Sequence, residues 1–196
     1  MAEPACFGVI TEFTASRFGA DFRVPMEKEF CGDSDRACGI LTATMVENSV
    51  ESAIKNAMKP DISRSRFNAL FDFDGPIGTF SAKIDVACRF GLFGPKTNHD
   101  LHLIRLIRDE FAQCPLPFRF DMAAVADVCA RLLIPDTEHR ILTPVFAGAP
   151  HAAEIKDEAT WADETHPKSR FFICCHSIAY WLLALAEGAN RARKLP

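Results

Sequence analysis

Arg105 and Arg108, three residues apart in the segment DLHLIRLIRDEFAQ, are the side chains whose type and spacing most invite a function. On a helix that spacing puts both on one face, as a positive ridge. A guanidinium is a planar, two-pronged donor that fits a carboxylate or a phosphate. One reading is therefore a surface, edged by Glu110, that grips an anionic ligand or a partner's carboxylate. Asp109 follows Arg105 by four residues and Glu110 flanks the same turn, so the other reading is an ion-pair network internal to the fold. Spacing alone leaves both open.

Other chemistry finds little support. No GxxxxGK[ST] or GxGxxG loop follows a strand, and no GxSxG elbow, HExxH pair or CxxC pair occurs. Cys174, Cys175 and His176 are consecutive, and on a helix they point about 100° apart, so they do not converge on one ion. No catalytic residue, metal or cofactor is expected. The net charge of −4 gives no general attraction to a phosphate backbone, so direct DNA binding is not expected either. Eight cysteines in a chain of this length, with Cys38, Cys88, Cys129, Cys174 and Cys175 inside apolar stretches, read as buried reduced thiols. The N-terminus lacks the marks of a signal peptide, which makes the cytoplasm the expected compartment.

The elements that must position these residues are helical. The 196-residue length suits one domain, and the apolar fraction of 48%, with 17 Phe, suits a packed core. Residues 1–30 show no clean period and read as an irregular N-terminal arm ahead of a helical domain over 31–196. After Gly32 the pattern sharpens: Asp33, Ser34 and Asp35 offer capping groups, and Ala37, Ile40, Ala43, Val46, Val50, Ala53, Ile54 and Ala57 form a stripe. Thr42, Asn48, Glu51 and Lys55 fall on the opposite face, and Pro60 marks the boundary. Ser63 to Phe71 suggests a short helix, and DFDGPIG a loop.

Thr79 caps a second strong helix bearing Phe80, Ile84, Ala87 and Cys88, which Gly91 ends in a left-handed conformation. A third runs from about Asn98 to Gln113, with Leu101, Ile104, Ile107 and Phe111 inward and Asp100 and Asp109 towards the other side. Asp121 opens a fourth, carrying Met122, Val125, Cys129, Leu132 and Leu133. Residues 135–169 read as mainly irregular, with a turn or two of helix over 152–161, before a last helix from Pro167 to about Ala192. Its apolar run from Phe171 to Ala186 would span about 24 Å as a helix, short of the roughly 30 Å of a bilayer core. A buried helix is expected there, not a membrane span. No two-residue alternation or internal repeat occurs, so the fold class is all-α, a single-domain helical bundle.

Three segments, SDRACGILTATMVENSVESAI, GPIGTFSAKIDVACRFGLF and DLHLIRLIRDEFAQ, in this order and at these separations, resemble the mannitol operon repressor family. The resemblance spans roughly residues 29–134, and the helix that begins Arg170-Phe171-Phe172 is compatible with that family's closing helix. It implies an all-helical regulator that acts through protein partners or self-association, without touching DNA itself. It also picks out Asp35 and Arg36 at the start of the first helix, and Phe80, Ser81 and Lys83 at the start of the second. Asp35 would pair with Arg105 or Arg108 across a helix interface and leave Lys83 to face a ligand; the alternative is simple capping and solvation.

The family's third motif commonly ends Arg-Asn-x-Phe-Ala-His, where this chain has Arg108, Asp109, Glu110, Phe111, Ala112 and Gln113. An Arg followed by a His is also similar to the active motif of HEPN-type ribonucleases, which supplies the alternative of an RNA-binding or degenerate ribonuclease component. Gln113 does not titrate, and Asp109 adds negative charge beside the arginines; both changes disfavour cleavage.

Overall fold

The structure, a computed structural model, describes residues 34–58, 63–133 and 165–193. Six helices occupy them: α1 (Asp35–Ala57), α2 (Arg64–Ala69), α3 (Phe80–Arg89), α4 (Pro95–Gln113), α5 (Ala123–Ala130) and α6 (Pro167–Arg193). No strand occurs among the described residues. The all-α expectation stands. The expected N-terminal arm and the turn of helix over 152–161 lie outside the described residues.

Local signals set most of the boundaries. Ser34 Oγ accepts the Ala37 N–H at 3.2 Å and Thr79 Oγ1 accepts that of Ala82 at 3.2 Å, each satisfying an orphan donor in the first turn. Gly91, at φ 67°, ends α3 with Leu92 N–H donating to Ala87 O and Gly91 N–H to Cys88 O, the paired bonds of a Schellman turn. Two boundaries differ from the sequence reading. The third helix, read as starting near Asn98, begins at Pro95, where the missing N–H costs nothing and the fixed φ suits the helix. Asp121 does not cap α5, which starts at Ala123; its carboxylate instead pairs with Arg119.

α1 is the hub. It packs most extensively against α6, and also against α4 and α3, while α6 further covers α5 and α4. The core runs through Val46, Val50 and Ile54 of α1, Phe80 and Ile84 of α3, Leu101, Ile104 and Phe111 of α4, and Phe171 and Ile178 of α6. Aromatic rings bridge these elements: Phe111 lies 5.0 Å from Phe118 and 4.7 Å from Phe120, which in turn lies 5.3 Å from Phe171.

Enclosure of α1 from several sides overturns one expectation. Thr42, Asn48 and Glu51, read as an outer face, are buried. Met122 and Leu133, placed among the apolar residues of the fourth helix, are exposed, and Cys88 is exposed while Cys38, Cys129, Cys174 and Cys175 are buried free thiols. Residues Phe171 to Ala179 are buried in succession along α6. No helix among the described residues is long and apolar enough to cross a membrane.

Candidate functional site: a charged junction of three helices

Glu47, Glu51 and Lys55 recur every four residues on α1, so they share a face. Against that face α3 brings Lys83 and α4 brings Arg108. Lys83 Nζ lies 2.8 Å from Glu47 Oε1 and 2.9 Å from Glu51 Oε2, with little of its side chain exposed. The second Glu47 oxygen accepts from Arg108, whose guanidinium also donates to Asp109 through Nε at 3.2 Å and Nη2 at 3.0 Å. Asp109 closes the chain of contacts with Arg105 at 3.2 Å, and Lys55 meets Glu51 at 2.7 Å. Aromatic faces floor the cations: Arg108 lies 5.2 Å from the Phe80 ring centre and Lys55 4.6 Å from that of Phe71.

Three carboxylates thus face four cations in one continuous network. Its rim pairs, such as Arg105 with Asp109, contribute about 0–1 kcal/mol each because water screens them. Its inner pairs are different in kind, since removing one partner strands a charge away from water, at a cost of about 3–5 kcal/mol. Burial pushes the Glu51 carboxyl up, but hydrogen bonds and charge from Lys55 and Lys83 outweigh that and hold it below its usual value. Arg105 Nε is buried without a hydrogen-bond partner.

The predicted site residues divide. Arg105 and Arg108 are brought together, and Asp109 bridges them, as the internal-network reading required. Lys83 joins them and is not free to face a ligand: it is 5% exposed and held by two carboxylates. Asp35 does not meet either arginine. Its carboxylate accepts the Phe120 N–H at 2.9 Å and pairs with Lys168 at 3.0 Å. Arg36 reaches the other way, donating to the carbonyls of Phe111 at 2.5 Å and of Cys114 and Leu116 at 2.7 Å. These two neighbours clamp the segment that follows α4, and Arg36 satisfies carbonyls left open at that helix's end. Glu110 is exposed and takes no part in the junction.

Two carboxylates escaped the sequence reading. Glu47, at the centre of the junction, was detectable only as an acidic residue four before Glu51 on a helix otherwise rich in small and apolar residues. Asp100, placed towards the outer side of α4, is fully buried. It accepts the Leu133 N–H on both oxygens at 3.0 Å, contacts His99 Nδ1 at 3.0 Å, and receives the Cys174 thiol at 3.3 Å. Nearby, Arg170 donates to Cys129 O and Leu132 O at the end of α5. Burial pushes Cys129 up to about 12, and raises Cys174 and Cys175 well above an ordinary thiol. Among the described residues no group of three or more His, Cys, Asp or Glu is placed to hold a metal ion.

Arg108 hydrogen-bonds to Glu47 and Asp109, and neither partner is an imidazole. Gln113, the position where the ribonuclease motif would place a His, is exposed on the far turn of α4. The junction therefore occupies its cations and neutralises most of their charge.

No family model and no curated protein sequence matches this chain. Among solved structures, a chain from the X-ray structure of the MtlR-HPr complex from Escherichia coli is similar in fold, with a TM-score of 0.58 at 15% identity. The match covers 80% of this chain and 94% of that one. At such low identity the likeness concerns the fold.

Proposed function

We propose that this chain is a non-enzymatic regulatory protein that acts by binding other proteins and does not itself bind DNA. The observation that carries the reading is the state of Arg108: its guanidinium is bonded to two carboxylates and rests on Phe80, so it is occupied inside the fold. A ribonuclease built on that arginine would need it open to phosphate and beside a group that exchanges protons near neutral pH. The fold's likeness to a chain found in a two-protein complex supports a partner-binding role, and the HPr named in that complex is the first partner to test. The charge of −4 supports an action that does not depend on the DNA backbone.

The test is titration of the purified chain in separate experiments with HPr, with duplex DNA and with RNA. Saturable binding of HPr, with neither a salt-sensitive shift of DNA nor loss of RNA, is the expected result. Operator binding by the chain alone would overturn the reading, as would RNA cleavage that survives metal removal and disappears in Arg108→Ala.

A further inference from the structure

Between α2 and α3 the chain makes a compact loop, Phe71 to Gly78. Phe71 and Ile77 anchor it in the core, each 8% exposed. Three backbone bonds tie it together: Ile77 N–H to Leu70 O at 2.8 Å, Gly75 N–H to Asp72 O at 2.8 Å, and Gly78 N–H to Gly75 O at 3.0 Å. The turns are so tight that a Cβ on Gly75 would sit 2.4 Å from Ala69 O, and one on Gly78 2.1 Å from Asp72 O. At the tip of this fixed scaffold Phe73 is 95% exposed, between the exposed carboxylates of Asp72 and Asp74. Neither carboxylate has an ion-pair partner among the described residues.

Scattered apolar side chains on a surface are ordinary. What sets Phe73 apart is that folding energy goes into holding it out: two obligate glycines, a hydrogen-bonded loop and two core anchors present one aromatic ring to solvent. An aromatic on a prearranged scaffold loses little freedom when it enters a pocket, which is the property of an interface anchor. The flanking pair of aspartates selects against acidic surroundings and favours a basic rim.

We propose that the Phe73 loop is the docking knob of this chain, received by a partner protein whose surface has an apolar pocket edged by Lys or Arg. The proposal rests on the partner-binding reading above and adds the surface and the chemistry of its mate. Asp72 and Asp74 guide the encounter, and Phe73 supplies most of the hold.

The experiment places a photo-crosslinking phenylalanine derivative at position 73 of the full chain in its own cells and, in parallel chains, at Leu106 and Trp181, two other exposed apolar positions on separate helices. The expected result is an adduct from position 73 alone, mapped on the partner to a pocket bordered by Lys or Arg. With that partner purified, Phe73→Ala should weaken binding at least about tenfold, while circular dichroism melting stays unchanged. Asp72→Asn with Asp74→Asn should weaken it a few-fold and flatten its dependence on salt. An adduct from position 106 or 181 in place of 73 would keep the partner reading and overturn the knob. An adduct to a second copy of this chain, or to an acidic surface, would overturn the proposed mate. No adduct from any of the three positions would overturn both.

Discussion

Lys83 Nζ lies 2.8 Å from Glu47 Oε1 inside the junction of α1, α3 and α4, although the two residues are 36 apart in the chain. Lys83→Met would leave Glu47 and Glu51 as adjacent carboxylates with one cation fewer, in a site where water screens them poorly. The expected cost is about 3 kcal/mol, read as a shift in the urea midpoint at constant slope. A loss under about 1 kcal/mol would show that solvent reaches the pair and that the junction is a surface feature.

Acid should weaken the fold in two successive windows. Burial depresses His176 to about 4, while the unfolded side chain takes its proton near 6.5. Between those values the unfolded state binds more protons, so stability is complete above 6.5 and falls as pH drops towards 4. From pH 7.5 to 5.0 the loss from this group is about 2 kcal/mol. Glu51 acts lower: held below its ordinary value of 4.5, it contributes stability above that pH and loses it as pH falls further. Denaturation curves at pH 7.5, 6.0 and 5.0 check the first window, and His176→Leu should flatten it whatever its own effect on stability.

Thiol labelling should follow burial. Among the described cysteines, Cys88 is exposed and should react with a maleimide first; Cys38, Cys129, Cys174 and Cys175 should react only as the bundle opens. Mass spectrometry of partly labelled protein reads the order directly. Native labelling of Cys174 at the rate of Cys88 would contradict its enclosure beside Asp100.

Asp100 contributes through the groups it satisfies. Asp100→Ala leaves the Leu133 N–H without its acceptor and opens a small void, for an expected loss of about 2 kcal/mol. Asp100→Asn keeps an acceptor and should recover part of it, which a paired melt of the two variants would measure.

Much of the architecture was legible in the sequence because its signals are local. Ser34, Thr79 and Gly91 act within a few residues of themselves, and the stripes on α1, α3 and α4 report which side meets an apolar neighbour. The departures that bear on the junction came from polar side chains whose partners lie on other helices. Glu51, Lys83 and Asp100 looked solvent-facing because charge normally is, and each is buried because another helix supplies its counterpart. The junction was half visible: the Arg105, Asp109 and Arg108 cluster sits on one helix and could be read from spacing, whereas Glu47 has significance only once α1 and α4 are side by side. Asp35 and Arg36 were singled out as charged residues at a helix start, but spacing could not show that they fasten the stretch leaving α4.

The packing of α6 on α1 also fixes an order of events. α1 is made well ahead of α6, its principal wall, so the side of α1 that α6 covers stays wet until Pro167 and the residues after it have been added. A chain stalled before Pro167 would present that side of α1 to whatever binds nascent apolar surface, and contacts of such long range predict slow closure relative to helical bundles joined neighbour to neighbour.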